Sequence, residues 1–337
     1  MKSLQAALMV SVLVLGSLPL PAVTASPPIA RIVVAADAFL GTLNETQKKQ
    51  VVYAFDDAEQ RVRWSNLPVA MVPRGGMSLK EMSAPQKAAA LKLLAATLSP
   101  AGFEKIQQIM EGDEVLQQQG GRRNSSGPMF GRDIFYISML GKPSDKTPWI
   151  LQFGGHHLAI NLTLAGSQAS MTPSLPAAQP AKFEWEGRTV RPLGSENDKA
   201  FALVNALDEK QKGQAILGSR VADLVLGPGQ DGKTIQPEGI RASALSAAQQ
   251  NMLWDVVREW SGIMADSFAE PRLAEIKSHL NDTYFAWSGP TTNGSVIYYR
   301  IQGPTLVIEY APQKSVDHIH TIYRDPTNDY GKKIAAR

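Results

Sequence analysis

The chain has no cysteine, which excludes disulfides, thiolate metal ligands and a cysteine nucleophile. A bound metal would therefore have to use histidine, carboxylate, amide or water. Histidine is scarce too, with five in 337 residues. No Gly-x-Ser-x-Gly elbow or Ser-x-x-Lys motif is visible, so an acyl-enzyme hydrolase lacks support. Charged residues make up 19% of the chain, the formal net charge is only +3, and part of that lies in the tail at Lys332, Lys333 and Arg337. No basic stripe interleaves with aromatics, and nucleic acid is not an expected partner.

Long apolar runs are missing except at the N-terminus. Met1-Lys2 gives a short basic start, Leu4 to Leu20 is mostly apolar, and Val23-Thr24-Ala25 supplies small residues for cleavage. Residues 1–25 are thus expected to be a secretory signal peptide, because the apolar core is too short for a span and no stop-transfer segment follows. The mature chain is expected to be exported and soluble, periplasmic or extracellular, with no membrane span.

What the chain does contain is an apparent repeat. Leu43-Asn44-Glu45-Thr46-Gln47 reads against Leu207-Asp208-Glu209-Lys210-Gln211, and Met82-Ser83-Ala84-Pro85-Gln86 against Leu245-Ser246-Ala247-Ala248-Gln249. Helix-period apolar residues follow each, and Ser83 and Ser246 have the capping-box spacing to Gln86 and Gln249. Strand-forming runs come next: Ile134–Ile137 against Val296–Tyr299, then Ile150–Phe153 against Val307–Tyr310, which equates Gln152 with Glu309. Landmarks in one order argue for an internal duplication. The expected class is α+β, a helical section plus an antiparallel β-meander occurring twice, with the halves related by a pseudo-twofold. The expected bounds are 26–166 and 201–331 for the repeats, 167–200 for a Pro-rich connector and 332–337 for a basic tail.

Four of the five histidines fall in two short clusters, His156-His157 and His318-Ile319-His320. On a strand, residues i and i+2 share a face, so His318 and His320 should point together. Glu309 is out of place in the apolar run Thr305–Ala311, and a buried carboxylate needs a partner. Two histidines and a carboxylate can hold iron or zinc; pairing of Glu309 with Arg300 or Arg324 is the competing expectation. Strand alternation would split the doublet, leaving His156 toward the core and His157 on a polar face with Asn161. Gly154-Gly155 suits a close backbone approach.

Other features weigh less. Gly227–Thr234 matches the P-loop pattern, but Pro237 and Gly239 break the helix that phosphate binding needs, so no nucleotide is expected. His279 suits a helix C-terminus. Arg324–Gly331 is oxygen-rich but lacks calcium-loop spacing, and an Asx-capped turn is the better expectation.

Phe153–Leu158, Ala286–Gly289, Tyr298–Thr305, Val307–Tyr310, His318-Ile319-His320 and Tyr323-Arg324-Asp325 together resemble the motifs of the bacterial DUF3500 family. The resemblance covers nearly all of the mature chain. It implies an often exported protein and supplies no catalytic residues.

Two functions stay open. One is a metal-dependent enzyme acting on an anionic small molecule, with a divalent metal (zinc, copper or iron) held by His318, His320, His157, His156 and Glu309. Arg324 and Arg300 would orient the substrate, and Glu309 would serve in catalysis. The other is a periplasmic protein that binds a metal or small-molecule ligand without turnover. Oligomeric state is left open.

Overall fold

The structure is a computed structural model that describes residues 28–120, 123–124 and 127–335. The expected signal peptide lies outside the described residues, as do the last two residues of the basic tail.

Strands Tyr136–Leu140, Trp149–Gly155 and Leu158–Ala165 form one antiparallel meander. Strands Tyr284–Ser288, Tyr298–Gly303, Leu306–Pro312 and Ile319–Arg324 form another. Both belong to a single twelve-stranded sheet. The seam is the short strand Ser174–Pro176, which pairs with Leu158–Ile160 on one side and with Tyr323 on the other. The stretch 167–200, expected to be a Pro-rich connector, contains regular structure. That stretch supplies the central strand, and Gly194–Asn205 within and beyond it is a helix.

Alternation gives the sheet two unlike faces. On one face Met139, Leu151, Phe153, Ile160 and Leu162 pack against helices Pro28–Gly41, Ala84–Thr97 and Pro100–Gln118. On the same face Phe285, Tyr299, Ile308, Tyr310 and Tyr323 pack against Gly194–Asn205 and Ala247–Ser261. The opposite face carries two cross-strand rows, Ser138–Gln152–Asn161 in the first meander and Ile322–Glu309–Arg300 in the second. Irregular loops and the single-turn helix Ala58–Arg61 cover this second face. Gln60 donates to Ser138 and Gln152, while Val225 and Leu226 donate to Glu309. The fold is α+β: helices on one side of the sheet, mainly loops on the other.

Local signals recur in both halves. Gln86 donates to Thr42 O and Gln47 Oε1, and Gln249 donates in the same way to Ala206 O and Gln211 Oε1. Each side chain also accepts its own N-cap N–H, from Ser83 and Ser246. Gly76 and Gly239 have φ of +91° and +96°, and a Cβ on either would lie 2.2 Å from a carbonyl oxygen of the adjoining strand, Ile137 or Phe285. Place in the sheet, however, sets the strands in a different correspondence from the sequence landmarks. Gln152 and Asn161 are cross-strand partners, as are Arg300 and Glu309. By place, Glu309 answers to Asn161, not to Gln152. The histidine clusters are not equivalent either, since one lies in a turn and the other at a strand start.

No helix of the described residues is long and apolar enough to cross a membrane.

Candidate metal centre

His156-His157 forms the two-residue turn between Trp149–Gly155 and Leu158–Ala165, with Gly155 paired to Leu158. The doublet therefore lies in a turn and not on a strand, contrary to expectation, although His156 faces the helical side, where it meets Asp113, and His157 meets His318 on the loop side. His157 has φ of 57°, a left-handed conformation in which histidine is enriched among non-glycine residues. The glycines before it are needed for space. A Cβ on Gly154 would lie 2.4 Å from Leu158 O, and one on Gly155 would lie 2.6 Å from Ile134 O.

His318 precedes strand Ile319–Arg324 and His320 lies in it, both directed to the loop face. Their Nε2 atoms are 3.1 Å apart, and His157 Nε2 is 2.9 Å from His318 Nε2. These three histidines form a group whose possible ligand atoms all lie within 4.8 Å of one another. Tetrahedral zinc with Zn–N bonds of about 2.0–2.1 Å holds its nitrogens about 3.3 Å apart. The two separations of 2.9 and 3.1 Å are slightly tighter than that spacing, and the group, within 4.8 Å throughout, is on the scale of a shared ion.

Burial lowers the His157 pKa well below the ordinary value, and the neighbouring His156, His318 and His320 add to the effect. Burial also lowers His318, to about 4, with His320 and His156 pushing the same way and Asp223 opposing. Both rings are thus neutral at neutral pH and keep a lone pair for a cation. Nδ1 of His157 is buried with no hydrogen-bond partner among the described residues.

Two loop residues meet His320. Asp223 Oδ1 is 3.2 Å from its Nδ1, an arrangement that leaves Nε2 as the free ligand atom. Burial raises the Asp223 pKa, but the His320 hydrogen bond and other contacts outweigh it, so the net shift is downward. Asn66 Nδ2 lies 3.2 Å from Nδ1 and 3.3 Å from Nε2 of the same ring. Sequence reasoning missed both residues. They sit in irregular loops with no periodicity, and only the tertiary fold brings them to the sheet.

The remaining expected residues sit elsewhere. His156 stacks behind His157, with ring centroids 3.7 Å apart, and its Nδ1 is 2.5 Å from Asp113 Oδ1. Burial raises the Asp113 pKa, against the His156 hydrogen bond. Glu309 is not part of the histidine group. Its carboxylate accepts from the backbone N–H of Val225 at 2.6 Å and Leu226 at 2.9 Å. It holds the loop to the sheet, and burial raises its pKa against those two bonds. Arg300 pairs with Glu238 at 2.6 Å. Arg324 pairs with Asp231 and Asp329 and donates to Leu226 O and Gly227 O. Both guanidiniums anchor the loop that runs over the sheet. Asp325 Oδ1 accepts from Thr327 N and Oγ1, the expected Asx turn. No helix begins at Lys233-Thr234.

No curated protein and no solved structure matches the chain. A family model does match it over residues 25–332, nearly the whole length. The chain belongs to that family, described as a protein of unknown function (DUF3500).

Proposed function

We propose that His157, His318 and His320 hold one divalent transition-metal ion through their Nε2 atoms. The single observation that carries this reading is the meeting of three imidazole nitrogens from two distant segments. Zinc is the first choice and copper the second, because the set is all nitrogen. Iron in oxygenases commonly takes two histidines and a carboxylate, and Glu309 is engaged elsewhere. Three protein ligands leave a fourth position for water or substrate, the pattern of catalytic rather than structural zinc. We therefore favour a metal-dependent enzyme acting on a small molecule. Binding without turnover is the second reading, favoured by the burial of His157 and His320 at 2% and 6% exposure.

Export is also part of the proposal, supported by the leader-like residues 1–25. Cell fractionation tests it: mature protein starting after Ala25 should be found outside the cytoplasm, and uncleaved cytoplasmic protein would overturn it.

Calorimetric titration of protein purified without a histidine tag tests the metal. One zinc or copper ion per chain is expected for the wild type and none for the double variant His318→Ala, His320→Ala. Wild-type protein that binds no zinc, copper or iron would overturn the reading.

A further inference from the structure

In the loop over residues 62–76, Asn66 is the one side chain among the described residues that hydrogen-bonds the histidine group, and its backbone is held at several points. Arg74 Nη2 donates to Ser65 O at 2.7 Å, to Leu67 O at 2.6 Å and to Gly155 O at 2.9 Å. The carbonyls on either side of Asn66 are thereby fastened to the strand end just before the His156-His157 turn. Leu67 N donates to Ser65 Oγ at 3.1 Å, and His157 N donates to Asn66 O at 3.3 Å. Backbone fixed on both sides places the amide with little freedom to move.

The amide nitrogen lies beside both ring nitrogens of His320, 3.2 Å from Nδ1 and 3.3 Å from Nε2. With Asp223 accepting the Nδ1–H of His320, Nδ1 has no lone pair left for a second donor. The remaining acceptor for Asn66 on that ring is Nε2, 3.3 Å away. Nε2 is also the atom assigned to the metal. A cation that takes this lone pair leaves the Asn66 N–H groups next to the cation with no acceptor on the ring. Their natural partner is then an oxygen in the open coordination position. A fixed donor beside a Lewis acid is a standard way to stabilise an oxygen that gains negative charge.

We propose that Asn66 donates a hydrogen bond to the oxygen of a substrate in the fourth coordination position, an acceptor for which a carboxylate is the simplest case. This rests on the metal reading above. Asn66 itself is not a metal ligand, so the two ideas separate experimentally.

The test uses the full-length mature protein loaded with cobalt(II), whose visible spectrum reports ligands in the open position, and acetate as the probe. Asn66→Ala and Asn66→Leu should each bind one cobalt per chain, as the wild type does, and should bind acetate about tenfold more weakly or worse, the loss of one charge-assisted hydrogen bond. Asn66→Ser, which keeps a short donor, should recover part of that affinity. Circular dichroism identifies which variants are folded, and the comparison rests on those. Wild-type acetate affinity in a cobalt-loaded Ala or Leu variant would overturn the proposal and leave the metal reading intact. Loss of cobalt from both folded variants would also overturn it, because Asn66 would then be holding the metal site together. A cobalt spectrum of the wild type that acetate does not alter would do the same. Failure of the wild type to take up cobalt would remove the metal reading and this proposal together.

Discussion

At the scale of single residues, Glu309 shows how a correct suspicion can attach to the wrong partner. A fully buried carboxylate in an apolar strand does need a partner, and it has one in the N–H groups of Val225 and Leu226. Sequence could mark the residue, but not a backbone partner more than eighty positions away. Glu309→Ala should therefore destabilise the fold by about 1–3 kcal/mol for each amide left unpaired. Chemical denaturation measures that, and zinc uptake should stay at the wild-type level. Loss of zinc with unchanged stability would return Glu309 to the metal. His318 supports a pH prediction. Its folded pKa is lowered to about 4 from an ordinary 6.5. As pH falls through that window the unfolded chain takes up the proton and the folded chain does not, so the metal-free protein loses stability with falling pH. Below about 4 both states are protonated and this contribution falls no further. Bound metal should delay the loss, and denaturation midpoints across that pH range with and without zinc check it.

At the scale of elements, much of what is decided within a few residues was legible. The capping boxes at Ser83 and Ser246, the strand runs and the shared face of His318 and His320 all follow from local spacing. The doublet His156-His157 was misplaced because the strand pattern runs straight through a turn of only two residues. The pairing of the halves was shifted by one strand for a similar reason, since matching motifs carry no record of place in the sheet. Gly76 and Gly239 give the sharpest prediction at this scale. Ala at either position would need positive φ and would bring its Cβ within 2.2 Å of a carbonyl oxygen. Each substitution should cost more than about 1 kcal/mol, measured by thermal unfolding, whereas Ala at the exposed and uncrowded Gly213 should be tolerated. We also propose that the recurring order of elements reflects duplication. Superposing residues 43–165 on 207–331 tests it, and unrelated strand paths would contradict it.

At the scale of the whole molecule, the candidate site spans the seam of the sheet. His157 comes from the first meander and His318 and His320 from the second, with Ser174–Pro176 between the strands that carry them. No sequence pattern announces such a meeting, because it depends on the order of strands across the complete sheet. A shared ion would tie the two meanders together, so metal should stabilise the protein as a unit. Binding that favours the folded state contributes about 2.7 kcal/mol at a hundredfold excess of ligand over Kd. Zinc should accordingly raise the melting temperature of the wild type and leave the His318→Ala, His320→Ala variant unmoved. The most direct measurement is the X-ray absorption spectrum at the zinc edge of protein loaded with one equivalent of zinc. The account predicts three imidazole nitrogens at about 2.0–2.1 Å and one further oxygen or nitrogen ligand. A shell made up mainly of carboxylate oxygen, or with fewer than three imidazoles, would contradict it.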